Sequence, residues 1–124
     1  MLDKVSCVCD NIRMKEILIY DLKTGKEPFI IWLKSIRDNV TRARIKSSVL
    51  KLSNGNFGDC KKLNSDISEI RLHFGSGYRI YFSELNNIII LLLCGGDKST
   101  QSKDIEKANM YLKNYKERNN DKNI

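Results

Sequence analysis

Residues 67–94 read ISEIRLHFGSGYRIYFSELNNIIILLLC, and the fold is decided in this stretch. From Ile67 to Phe74 the hydrophobicity repeats every second residue, the period of a strand with one covered face. Ile70, Leu72 and Phe74 fall on one side; Glu69, Arg71 and His73 fall on the other. Gly75-Ser76-Gly77 is a hairpin turn. The chain returns as Tyr78–Leu85, with Tyr78, Ile80 and Phe82 opposite Arg79 and Tyr81. Asn86-Asn87 turns it again. Ile88–Cys94 is apolar on both sides, as a central, covered strand must be.

On the N-terminal side, Glu16–Leu22 (EILIYDL) is short and rich in Ile and Tyr, a strand composition. Thr24-Gly25-Lys26 makes a turn. Pro28 then stands where a first helical turn tolerates it best. Phe29, Trp32, Leu33 and Ile36 recur at helical spacing. Asp38-Asn39 breaks that helix and can cap the next. The second helix spans Val40–Leu52, with Ile45, Val49 and Leu52 as its apolar stripe. Asn54-Gly55-Asn56 ends it with residues that accept left-handed backbone angles. Beyond the hairpin, Gly95-Gly96-Asp97-Lys98 leaves the sheet. A last helix covers Ser102–Arg118, turning Ile105, Ala108, Tyr111, Leu112 and Tyr115 inward. The expected order is β-α-α-β-β-β-α: an α+β domain with a small, twisted, mostly antiparallel sheet and a helical hairpin on one face. Residues 1–13 lack periodicity and read as a disordered extension, 14–118 as the domain, and 119–124 as a polar tail.

The chain has 124 residues with 22 bases against 15 acids, a net charge of +7. Its length suits a single core without staples. One Pro and seven Gly exclude collagen-like and Pro-rich classes. The positive surplus favours a polyanionic partner. The longest apolar run, Ile88–Cys94, is far shorter than the ~20 residues of a membrane helix. Charges at Asp3 and Lys4 fall where a secretory signal needs its apolar stretch, so a cytoplasmic location is expected. Cys7, Cys9, Cys60 and Cys94 then read as reduced thiols, with no paired spacing of the zinc-site kind. No metal or cofactor is expected.

The polar side of the hairpin carries Arg71, His73, Arg79 and Tyr81. Cross-strand neighbours lie ~5 Å apart, so these side chains converge, and two close guanidinium groups call for an anion between them. Lys98 follows the central strand, after two glycines that let a backbone approach another molecule closely. His73 is the single histidine; positive neighbours favour its neutral, proton-accepting form. Residues 34–62 hold eight bases against two acids, including Arg42, Arg44 and Lys46 on the second helix and Lys61 and Lys62 before the hairpin. An excess of this size steers polyanions.

Several segments resemble one family. Trp32-Leu33, Arg42-Ala43-Arg44-Ile45, Gly55-Asn56-Phe57-Gly58-Asp59, Glu69-Ile70-Arg71-Leu72, Gly77–Phe82 (GYRIYF) and Leu91–Gln101 (LLLCGGDKSTQ) are similar to the RelE/ParE superfamily of type II toxins. Within it they resemble the HigB-like, phage Gp49-related addiction module killer proteins, over residues 14–117. The resemblance implies a toxin that cuts mRNA at the ribosome and is neutralised by a cognate antitoxin, often a helix-turn-helix protein. In the ParE branch it implies instead a toxin that inhibits DNA gyrase and cuts nothing; an inactive remnant that only binds antitoxin is a third reading. By the same resemblance Arg79 matches the arginine aimed at the scissile phosphate. Arg71 and Lys98 match further basic positions, and Lys61 and Lys62 an RNA-contacting loop. His73 is then assigned to proton transfer, and Tyr81 to stacking on or hydrogen-bonding a nucleotide.

Overall fold

The computed structural model describes residues 14–123, so the expectations for residues 1–13, including Cys7 and Cys9, lie outside the described residues. Five strands and three α-helices make an α+β fold. In chain order they are β1 (Glu16–Ile19), α1 (Pro28–Ser35), α2 (Asn39–Ser53), β2 (Cys60–Lys62), β3 (Ser68–Arg71), β4 (Arg79–Leu85), β5 (Ile89–Gly96) and α3 (Gln101–Asn123). A single 3₁₀ turn, Lys98–Thr100, leads into α3.

The sheet is mixed, in the order β1-β5-β4-β3-β2. β1 runs parallel to β5, and the other three pairings are antiparallel. β5 is thus flanked on both sides, which explains its continuous apolar run. The register of β4 on β5 skips from Tyr81↔Cys94 to Phe82↔Leu92. Leu93 is the extra residue of this bulge, and Leu91, Leu93 and Cys94 all pack on the same core cluster.

Two core clusters lie on the two faces of the sheet. Phe29 and Leu33 of α1 and Ile45 and Leu52 of α2 meet Ile70, Ile80, Phe82, Ile90 and Leu92 on one face. Ala108 and Leu112 of α3 meet Tyr81, Leu91, Leu93 and Cys94 on the other. The local signals read from the sequence account for the helix starts: Pro28 is the first residue of α1, and the Asp38 carboxylate accepts from the Thr41 amide to cap α2.

Four expectations need correction. The observed order is β-α-α-β-β-β-β-α, because Cys60–Lys62 pairs with β3 as an edge strand. That segment has no apolar alternation and takes its structure from the neighbouring ladder. The helices are not a hairpin on one face. α1 and α2 each pack on the sheet in one shared core cluster, and α3 covers the opposite side of the sheet. Finally, β3 stops at Arg71, so His73 lies beyond the strand; α3 runs to Asn123, through much of the stretch expected as a tail.

Candidate functional site

Registered neighbours in a sheet share a face, and here that rule builds the site. Arg71 stands directly opposite Arg79, and Glu69 opposite Tyr81. On the other side of β3, Lys61 is opposite Glu69, and the Arg71 amide donates to the Asp59 carbonyl at 2.9 Å. Asp59, Arg71 and Arg79 therefore form one row across three neighbouring segments, roughly 5 Å apart.

The charge of the two arginines is met from within. Glu69 is fully buried, and its Oε1 lies 3.3 Å from Arg71 Nε and its Oε2 3.4 Å from Arg79 Nε. The Gln101 side-chain amide donates to Glu69 Oε2 at 2.8 Å from the first residue of α3. A buried carboxylate that accepts from Arg71 and Gln101 and pairs with the Arg79 charge ties both guanidinium groups to one anion; among the described residues Arg79 Nε is buried without a hydrogen-bond partner of its own. Arg79 Nη1 also donates to the Gly77 carbonyl at 3.0 Å. A Cβ on Gly77 would lie 3.5 Å from Lys98 Cβ and 3.6 Å from Arg79 Nη1, so those two side chains flank a single glycine.

α3 covers this face only as far as Gln101. Beyond it the Arg71 side chain is 36% exposed and His73 72%. His73 Nε2 is 2.5 Å from Asp59 Oδ2. The corner thus gathers Arg71, Arg79, Lys61 and Lys98 around Glu69 and Asp59, with the carboxylates of Asp104, beside Gly96, and Asp97, bonded to Ser76, at its border. It can hold an anion at the arginine row and present a histidine beside it.

Other residues expected to bind go elsewhere. Tyr81 is completely buried beneath α3, and burial followed by the Glu69 charge pushes its phenol pKa up; it offers no face to a base. Arg42 donates to the Ile36 and Arg37 carbonyls and to Asn39 Oδ1, closing the C-terminal end of α1. Arg44 lies over the Phe74 ring, 3.9 Å from its centroid. Lys46 stays exposed on α2. Lys61 and Lys62 alternate across β2, so only Lys61 shares the face of the arginine row.

Sequence reasoning placed Glu69 on the polar side of the strand but missed its structural part, and it gave Asp59 and Gln101 no part in the site. An acid two residues before an arginine on a strand was the available signal for Glu69. Nothing local links Asp59 to His73, or Gln101 to Glu69.

Next to the corner, a groove of about 740 Å³ opens between α1 and α3. Ser76, Tyr78 and Gly96 line its near side and Trp32, Lys107 and Tyr111 its walls. It forms where β1 gives out: the last bond from that strand's side is the Tyr20 amide to the Leu92 carbonyl, while β5 continues to Gly96. Among the described residues no helix is long and apolar enough to cross a membrane.

The fold and this corner define a small α+β protein with a preorganised cationic site at one end of its sheet. An uncharacterized protein of Haemophilus influenzae (strain Rd) is 44% identical over 82 residues, spanning 66% of this chain and 83% of that protein. The chain belongs to the family of that protein. No family model matches it.

Proposed function

We propose that the chain is the toxin of a type II toxin–antitoxin pair. In this reading it is a metal-independent endoribonuclease that acts in the cytoplasm on mRNA at the ribosome and is held inactive by a cognate antitoxin of helix-turn-helix type. The resemblance to RelE/ParE toxins supports the class. The observation that carries the chemistry is the Arg71–Arg79 pair, set in direct register and aimed by a buried Glu69, with Lys98 beside it.

Strand scission by the ribose itself needs a base at the 2′-oxygen, cations at the phosphorane oxygens and an acid at the 5′-oxygen. Arg71 and Arg79 take the phosphorane charge. Both guanidinium groups are held before substrate arrives, so little reorganisation is needed in the transition state. Lys98 serves the leaving-group side. The 2′-oxygen bonds to phosphorus as the bond to the 5′-oxygen breaks, leaving a 2′,3′-cyclic phosphate and a 5′-hydroxyl.

The test is induced expression with mapping of mRNA 5′ ends, wild type against Arg79→Ala. The wild type should give cuts in frame with codons, and the variant should lose on the order of 10²–10³ in rate. Normal cleavage by Arg79→Ala would overturn the assignment. Growth arrest with intact transcripts and broken DNA would support the gyrase-directed reading instead.

A further inference from the structure

The geometry points to an Asp59–His73 dyad as the proton-accepting device of the cationic corner, with Asp59 as the positioning residue. This rests on the ribonuclease reading above and gives the proton-transfer residue expected from the sequence, His73, the partner that orients it.

Three observations place the dyad. First, His73 Nε2 meets Asp59 Oδ2 at 2.5 Å. An ionised carboxylate only accepts, so Nε2 carries a proton, and in the neutral imidazole this contact selects the tautomer whose lone pair is at Nδ1. Among the described residues no hydrogen bond engages Nδ1. The imidazole is mostly exposed and can reach a bound molecule. Second, Asp59 is anchored. Its carbonyl accepts from the Arg71 amide, and the loop before it is pinned by Phe57, which packs edge-on against Phe82 at 5.7 Å between centroids. Asn56 Oδ1 accepts from the Gly58 amide at 3.2 Å, and Gly58 has a φ of 60°, closing the turn that delivers Asp59. Third, the dyad borders the arginine row. Asp59 is the neighbour of Arg71 across the sheet, and His73 follows Arg71 by two residues, roughly 7 Å of extended chain.

In the reaction, His73 Nδ1 takes the 2′-hydroxyl proton as the oxygen attacks phosphorus. Asp59 holds the imidazolium that results. The 5′-oxygen leaves with a proton from the Lys98 ammonium, and water then carries the histidine's proton back to the lysine. No oxidant, metal or further reactant enters the balance.

His73 is the single histidine, so its ring nitrogens can be followed without assignment in ¹⁵N-labelled protein. Asp59→Asn, Asp59→Glu and His73→Ala would be compared with wild type in that spectrum, in circular dichroism, and in cleavage of a translated message in a reconstituted system. Wild type should show one tautomer, protonated at Nε2, and Asp59→Asn a mixture of the two. Cleavage should fall about tenfold or more in Asp59→Asn, further in His73→Ala, and recover in part in Asp59→Glu, all with wild-type circular dichroism. Wild-type cleavage by folded Asp59→Asn or His73→Ala, beside an arginine-dependent wild type, would overturn the dyad and leave the ribonuclease reading standing. A fixed tautomer in a wild type that cuts no message would overturn both, leaving a structural pair.

Discussion

At the residue scale, Glu69 organises the site. A buried acid is costly unless it is hydrogen-bonded and paired, and here Arg71 and Gln101 donate to Glu69 while Arg79 supplies a second positive charge. The arrangement inverts the usual reading of paired arginines. Their mutual repulsion is already answered by one internal carboxylate, and their remaining donors are left for a ligand. Glu69→Gln keeps the shape and removes the charge. It should cost about 3 kcal/mol in urea unfolding at neutral pH, because the buried part of Arg79 loses its counter-ion. A loss near zero would mean that the pair needs no internal anchor. Cys94 illustrates the opposite case: burial, and after it the Asp104 charge, push its thiol up to about 12, which makes it a packing residue rather than a nucleophile.

At the element scale, the end of β5 is the junction between sheet and helices. Its two glycines are required by packing from both sides. A Cβ on Gly95 would come within 2.3 Å of Trp32 Cε3, and one on Gly96 within 1.8 Å of Asp104 Oδ2. The bulge at Leu93 sets this alternation, so that Gly95 meets α1 and Gly96 meets α3. Gly96→Ala must displace Asp104 and the first turn of α3, the same turn that presents Gln101 to Glu69. It should lower stability by about 1–3 kcal/mol, read from the denaturation midpoint. An unchanged midpoint would show that the turn yields freely and does not position Gln101.

At the scale of the whole molecule, the net charge of +7 and the open corner are what the proposed function would use to draw in and hold a polyanion. Two bases of the helical cluster make internal contacts, Arg42 closing α1 and Arg44 covering Phe74, and the proposed site lies at the corner rather than on α2. Binding of a short single-stranded RNA, measured by fluorescence anisotropy, should therefore depend on salt only as strongly as the corner's few cations allow. Two to three phosphate contacts give a slope of log affinity on log salt of about −1.5 to −2. A slope near zero would remove the electrostatic basis of the site, and a much steeper one would bring the α2 face back into the interface.

The local chemistry of the chain by itself determined most of the elements. The alternation over residues 67–94 marks the hairpin and the covered strand, and Pro28 and Asp38 mark two helix starts, because period and capping are properties of neighbouring residues. It also singled out Arg71, Arg79, Lys98 and His73. Only the tertiary structure decided that α3 closes the second face over Tyr81, that Cys60–Lys62 becomes an edge strand, and which polar groups remain open. Those outcomes depend on pairs such as Glu69 with Gln101 and Asp59 with His73. Such residues are far apart along the chain, and no local pattern ties them. What unites them is the sheet register and the point where α3 begins.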